Sequence, residues 1–144
     1  MKQTPRVIED GPIYNAIGSG YTQTRREDPT LYSHILACLG DSQTVVNVGA
    51  GTGSYEPRHL KVLAVEPSEV MAGQRKLDSA PVIKATADGL PLHGKSFDAA
   101  MTVLSLHHWH PNQRQGIKEM CRVARQRVVI VTIDPRVSGR MWLL

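Results

Sequence analysis

The sequence predicts an α/β fold built on a doubly wound, mainly parallel Rossmann-like sheet, and three observations lead there. The β-branched run Thr44-Val45-Val46-Asn47-Val48 passes straight into Gly49-Ala50-Gly51-Thr52-Gly53. A short apolar stretch of this kind reads as a buried parallel strand, and glycines after it let the backbone turn sharply and press against a ligand. Glu66 then closes a second apolar stretch, Val62-Leu63-Ala64-Val65, so an acidic side chain stands at the carboxyl end of a strand beside the glycine turn. Strand-like and helix-like patterns alternate along the rest of the chain, as they do where helices cross over between parallel strands.

The elements follow in order. Asp28 is placed to cap a helix with Pro29 in its first turn, Leu31, Ile35, Leu36 and Leu39 make its apolar face, and Gly40 ends it. The first strand is Thr44 to Val48 and the second Val62 to Val65, with a helix from Ser68 to about Lys76 after it. Pro81 introduces a third strand, Val82 to Ala85, and the turn at His93-Gly94-Lys95 precedes a fourth, Phe97 to Leu104. A helix from about Asn112 to Arg125 shows Ile117, Met120, Cys121 and Ala124 on one side, and a fifth strand covers Arg127 to Ile133. No internal repeat or low-complexity tract interrupts the pattern.

In sheets of this kind, ligands sit outside the carboxyl ends of the strands, where a carboxylate can accept hydrogen bonds from ribose hydroxyls. Spacing narrows the choice of nucleoside. The dinucleotide fingerprint needs Gly-x-Gly-x-x-Gly running into a helix whose amino end holds a pyrophosphate. Here the pattern is Gly49-x-Gly51-x-Gly53, with Ser54 where a third fingerprint glycine would stand, and Pro57 interrupts the short run to Lys61. That leaves room for about one helical turn. S-adenosylmethionine (SAM) carries an adenosine, a sulfonium and an amino-acid tail but no phosphate, so its site can dispense with the helix. The spacing therefore favours SAM over NAD or FAD. A glycine turn between two core strands, with Glu66 an ordinary solvated end residue, is the plain alternative.

At 144 residues the chain is long enough to bury about 68–70% of its unfolded surface, one real core. No apolar run approaches the roughly 18 residues of a membrane span and the start lacks a signal-peptide core, so a cytoplasmic location and no membrane partner are expected. Cys38 and Cys121 sit in apolar helical patterns without metal-ligand spacing; both are read as small, buried and reduced, with neither disulfide nor metal site. The net charge is +4. Arg114, Lys118 and Arg122 recur every fourth residue, with Arg125 and Arg127 close behind, but no aromatics interleave and Glu119 interrupts them. A solvated helical face explains the stripe better than a nucleic-acid surface does.

Five segments in register resemble a known family. They are Val46-Asn47-Val48-Gly49-Ala50-Gly51-Thr52-Gly53; Val65-Glu66-Pro67-Ser68 with Met71; Leu90-Pro91-Leu92 before Ser96-Phe97-Asp98; Leu106-His107-His108-Trp109; and Glu119-Met120 with Arg122-Val123-Ala124-Arg125. They resemble the class I SAM-dependent methyltransferases, specifically the small-molecule type 11 methyltransferase-domain group, and the resemblance runs from Tyr14 to Trp142. It implies strand order 3-2-1-4-5 and a single SAM-binding domain over residues 1–144, with residues 1–28 as a cofactor cover. Relatives continue past Asp134-Pro135 and Trp142-Leu143 into another helix and two strands. The chain thus reads as truncated after strand five, with an apolar edge expected to drive self-association.

The resemblance also distributes roles. Gly49, Ala50 and Gly51 approach the methionine part of SAM. Asn47 stands where the family more often has Asp or Glu, keeping the hydrogen bond but removing a charge that would face the ligand's ammonium. Glu66 takes the ribose diol, Pro67 and Ser68 shape the adenine edge, and Met71 packs near it or simply in the core. Relatives often hold the adenine amine with an Asp where this chain has Thr86, so the Ala87 amide and Asp88 are the candidates here. Leu104 lies under the methyl group. His107 is a candidate general base, with packing the rival role, and Trp109 is expected as a core lid on the following helix. Tyr21 and Arg25 belong to the cover, Arg25 or Arg26 pairing with the SAM carboxylate. The implied function is methyl transfer from SAM to a small-molecule acceptor by in-line displacement. A non-catalytic SAM-binding fragment and an RNA methyltransferase are the alternatives, and nucleic acid is not the expected partner.

Overall fold

The computed structural model describes residues 27–133. Residues 1–26 of the predicted cover (residues 1–28), Tyr21 and Arg25 among them, and the segment from Asp134 onward lie outside the described residues. Nine elements follow in order. They are α1 (Pro29–Leu39), β1 (Thr44–Val48), β2 (Lys61–Val65), α2 (Glu69–Gly73), β3 (Val82–Ile83), β4 (Phe97–Val103), a 3-10 turn (Leu106–Trp109), α3 (Gln113–Val123) and β5 (Ala124–Val131). The strands form one sheet in the order β3-β2-β1-β4-β5, every neighbouring pair parallel, as expected. The described part of the chain therefore has a Rossmann-like arrangement with β1 at its centre.

The sheet is buried on both faces because its strands are apolar on both faces. On one side Val45, Val62, Ala99, Met101 and Val129 meet Ile35 and Leu39 of α1. On the other, Val46, Val48, Val65 and Ala100 meet Met120 and Val123 of α3. Alternate residues of β1 thus serve opposite layers, as a two-residue side-chain period requires. The Asp28 carboxylate accepts from the Thr30 amide at 2.9 Å, and the Gly40 amide closes α1 on the Leu36 and Ala37 carbonyls, confirming both predicted ends. A cap of this type is worth about 1 kcal/mol.

Several boundaries differ from the sequence expectation. The helix after Ser68 stops at Gly73 instead of Lys76, and β3 has only two residues. Strand five starts at Ala124 and ends at Val131. Ala124 caps α3 in an extended conformation and already pairs with Phe97, whereas β4 runs out of partners for Thr132 and Ile133 at Val103. Both cysteines are exposed, against expectation. Each adjoins a buried residue, Cys38 ahead of Leu39 and Cys121 behind Met120, and a helix turns about 100° per residue, which carries the thiol off the buried stripe.

At the amino edge of the sheet Asp98 ties three strands together. Its Oδ2 accepts from the Gln43 and Thr44 amides at 2.9 and 3.2 Å, while Oδ1 takes Arg125 Nη2 at 2.8 Å. The two backbone donors, Gln43 first, and the Arg125 guanidinium hold its carboxyl down at about 2. A depressed folded pKa stabilises the fold above the unfolded value, near 3.9, and the contribution disappears as pH falls through the folded one. Asp98→Asn should therefore cost stability that is constant above about pH 5 and shrinks between about pH 4 and 2. Urea unfolding of both proteins across that range measures it; a difference that persists unchanged to pH 2 contradicts the assignment.

Candidate functional site

The carboxyl ends of β1 and β2 lie side by side, with Val48 opposite Val65, so the turn after β1 and Glu66 after β2 are brought together. Gly49 and Ala50 both donate to the Val65 carbonyl, at 2.8 and 2.9 Å. Gly49, Gly51 and Gly53 have φ of 69°, 57° and 97°, a region that disfavours side chains. At Gly49 a side chain is excluded twice: a Cβ there would stand 2.2 Å from Ser105 Oγ. Residues 49–60 form turns and no helix, so no helical amino end faces the site.

Glu66 is 2% exposed. Its Oε1 accepts from the Gly51 amide and its Oε2 from the Ser68 amide, each at 2.7 Å. Burial pushes its carboxyl pKa up, and the Ser68 and Gly51 amides pull it back in part. Ser68 in turn caps α2 by accepting from the Met71 amide at 3.2 Å. One carboxylate thus fixes the glycine turn, the end of β2 and the start of α2. Each oxygen uses one lone pair on an amide and keeps another, the chemistry that binding a ribose diol requires.

A cleft opens between the turn and the end of β4. Gly49, Ala50, Gly51, Met71 and Leu104 line it, together with Thr52, Ser54, Tyr55, Val103 and Ser105. It measures about 340 Å3 with its open mouth counted. Side chains that narrow it are movable: Met71 Cε lies 3.1 Å from where a Cβ on Gly51 would stand, and Met is flexible about three bonds. The Leu104 and Tyr55 backbones have φ of 55° and 66°, unusual for residues with bulky side chains, and both border the cleft.

Other predicted residues stand further out. Pro67 is exposed and, like Asn47, Glu66, Ser68, Ala87, Asp88 and His107, does not line the cleft. Asp88 is engaged on both oxygens, by the Thr86 hydroxyl at 2.6 Å and the Asn112 amide at 3.2 Å. Ala87 is buried in the core beneath α3. Trp109 packs over Gly116 of α3, as the lid expectation had it. The His107 and His108 rings lie against each other, tilted by 45° with centroids 4.0 Å apart. Both residues are exposed overall, and partial desolvation of the rings lowers the pKa of His107 and, with His107 nearby, takes His108 to about 4. Among the described residues no group of three His, Cys, Asp or Glu is placed to hold a metal ion, and no helix is long and apolar enough to cross a membrane.

Sequence reasoning missed Glu56 and Arg75. Their side chains are 9% and 4% exposed and meet at 2.6 Å directly beneath the glycine turn, where Asn47 Nδ2 also donates to Glu56 at 2.8 Å. Local spacing gave no signal for Arg75, because the helix that carries Met71 ends at Gly73.

The methyltransferase-domain family model matches residues 46–132, more than half of the chain. The chain belongs to this family. A structure described as a methyltransferase candidate of an antibiotic biosynthesis pathway in Anabaena variabilis is 32% identical, covers 80% of this chain and 49% of its own, and superposes with a TM-score of 0.73. A SAM-dependent methyltransferase of Thermotoga maritima, described as a possible histamine N-methyltransferase, is 26% identical over 92% of this chain and 67% of its own, with a TM-score of 0.74. A tRNA (carboxymethyluridine(34)-5-O)-methyltransferase of Saccharomyces cerevisiae is 25% identical over 72% of this chain and 38% of its own length. The chain spans less than half the length of the curated relatives it matches.

The Gly49 geometry makes a direct prediction. Gly49→Ala should lower the unfolding free energy by about 2 kcal/mol or more, from positive φ and the clash with Ser105. Chemical denaturation measures this, and a variant as stable as the parent contradicts the close approach.

Proposed function

We propose that this domain binds S-adenosylmethionine across the glycine turn and transfers its methyl group to a small-molecule acceptor. One observation carries the proposal: a buried carboxylate at the end of β2 grips the turn after β1 and retains lone pairs for a ribose diol. When bound, S-adenosylmethionine supplies a methyl group activated by the positive charge of its sulfonium. The chain's task is then position. Gly49 to Gly51 let the backbone approach, Glu66 orients the sugar, Met71 and Leu104 yield to the purine and exclude water, and no metal is required of the protein. Positioning of this kind is worth up to about 7–11 kcal/mol of a displacement barrier.

His107, in the turn after Leu104 and Ser105, is the candidate for removing an acceptor proton. Desolvation lowers its pKa, which favours the neutral imidazole that can accept a proton. His107→Gln should lower kcat by about 10²–10⁴-fold while leaving the affinity for S-adenosylhomocysteine within about twofold; an unchanged kcat assigns His107 to packing.

A second reading has a specific observation behind it, because the Saccharomyces cerevisiae relative is named for a tRNA acceptor. Against it, three of the five basic residues, Arg122, Arg125 and Arg127, are paired with Glu119, Asp98 and Asp41, which reduces the charge the stripe offers to phosphates. An RNA complex neutralising several phosphates weakens steeply with salt; a small-molecule methyltransferase does not.

Calorimetry with S-adenosylhomocysteine tests the donor site. The wild-type protein should bind it, and Glu66→Ala, which removes charge-assisted hydrogen bonds worth about 1.5–3 kcal/mol each, should weaken binding at least tenfold. Failure of the wild-type protein to bind contradicts the proposal. A radiolabelled methyl screen, run at low and high salt over small acceptors and tRNA, then separates the two acceptor classes.

A further inference from the structure

Tyr55 is the residue on the cleft wall whose backbone its own chemistry explains least. It follows the last glycine of the turn by two residues, lines the cleft, is 4% exposed and has a φ of 66°. A buried aromatic residue keeps that conformation only where its surroundings over-determine it. The reversal serves two layers at once. Tyr55 enters the apolar cluster with Ile35 and Leu39 of α1. Glu56, next in the chain, meets Arg75 at 2.6 Å beneath the turn, where Arg75 also approaches the Gly51 carbonyl at 3.4 Å.

What holds Tyr55 comes from the stretch ahead of α1. Glu27 Oε2 accepts from the Tyr55 amide at 3.0 Å, and the Tyr55 hydroxyl accepts from the Asp28 amide at 2.7 Å. Asp28 caps α1, so the helix fixes its place. Two consecutive residues thus grip Tyr55 at its main-chain N–H and at its ring oxygen. The other Glu27 oxygen takes Arg58 Nη2 at 2.8 Å, in an ion pair whose arginine side chain is 69% exposed. A pair so open to water contributes little. The bond from Glu27 to the amide of a buried residue is the stronger of the two, because its acceptor is charged.

Glu66 closes β2 and does not line the cleft, which runs from the turn after β1 toward the end of β4, the next strand across the sheet. We infer that a nucleoside held at Glu66 runs its amino-acid arm into this cleft, past Tyr55, and that Glu27 is a positioning residue for that arm. Glu27 acts through Tyr55: it holds the residue in its left-handed conformation and with it the shape of the wall. Released, Tyr55 relaxes to an ordinary φ and the wall is lost. The inference rests on the proposed donor site. It adds to that site a residue from ahead of the segment that matches the family, residues 46–132.

Calorimetry with S-adenosylhomocysteine, and with adenosine, which lacks the arm, tests this role. Glu27→Ala should weaken S-adenosylhomocysteine about tenfold, as expected when the competent conformer loses a hydrogen bond to a charged group, and leave adenosine within about twofold. Glu27→Gln keeps a side-chain oxygen for the Tyr55 amide and should bind S-adenosylhomocysteine within about threefold of the wild-type protein. Arg58→Ala, which removes the exposed ion pair alone, should change neither ligand by more than about twofold. Should Glu27→Ala not fold, Tyr55→Phe carries the comparison: it deletes only the tie to Asp28 and should weaken S-adenosylhomocysteine about threefold, with adenosine unchanged. Equal losses for both ligands give Glu27 a merely structural role and overturn the inference. Unchanged affinity in Glu27→Ala, or a Glu27→Gln variant as weak as Glu27→Ala, overturns it as well while leaving the donor site standing. Failure of the wild-type protein to bind S-adenosylhomocysteine removes the donor site and the inference together.

Discussion

The Glu66 carboxylate is the constraint on which the rest of the site depends. It sits at the end of β2, takes the Gly51 amide on one oxygen and the Ser68 amide on the other, and so joins a turn, a strand end and a helix cap that are not contiguous in the chain. Parallel pairing of β1 with β2 sets this up by ending both strands at the same level, Val48 beside Val65. The turn then has no freedom to rise away from the sheet, and its glycines are required by where it is held. Burial raises the pKa of its carboxyl, and a polar ligand that completes its hydrogen bonds offsets part of the cost of burying the charge.

Below this clamp lies a second polar layer, Asn47, Glu56 and Arg75, which holds the opposite side of the same turn. The two layers explain why a connection of turns alone, with no helix between β1 and β2, keeps a defined shape. They also fit a ligand without phosphate. A dinucleotide site depends on the amino end of a helix, whereas this one offers the Glu66 carboxylate, an acceptor suited to ribose hydroxyls. The narrowness of the cleft is set by Ser105, Tyr55 and Met71, whose side chains are packed along its walls.

Much of this was readable from the residues. The apolar runs at β1 and β2 and the glycines between them located the carboxyl edge of the sheet, and Asp28 and Gly40 located the ends of α1, because strand burial, caps and positive φ are local demands on residue type. The short helix after Ser68 and the ends of β3 and β5 were misplaced because pairing partners, which local sequence does not name, decide where strands stop. The exposed positions of Cys38 and Cys121 show the limit of a broad apolar stripe: one residue's rotation separates the core from solvent. Glu56 and Arg75 escaped notice for a related reason. Each looks like a surface residue by type, and only the fold brings them 2.6 Å apart.

Membership of the methyltransferase-domain family, shown by the match over residues 46–132, agrees with the site's chemistry without naming the acceptor. The most direct measurement on the central claim is a crystal structure of the protein with S-adenosylhomocysteine. The account predicts that the ribose hydroxyls lie within hydrogen-bonding distance of the Glu66 carboxylate, with Met71 displaced from its place over Gly51. A nucleoside bound elsewhere, or a turn that stays closed at saturating ligand with Glu66 making only its two amide contacts, would contradict it.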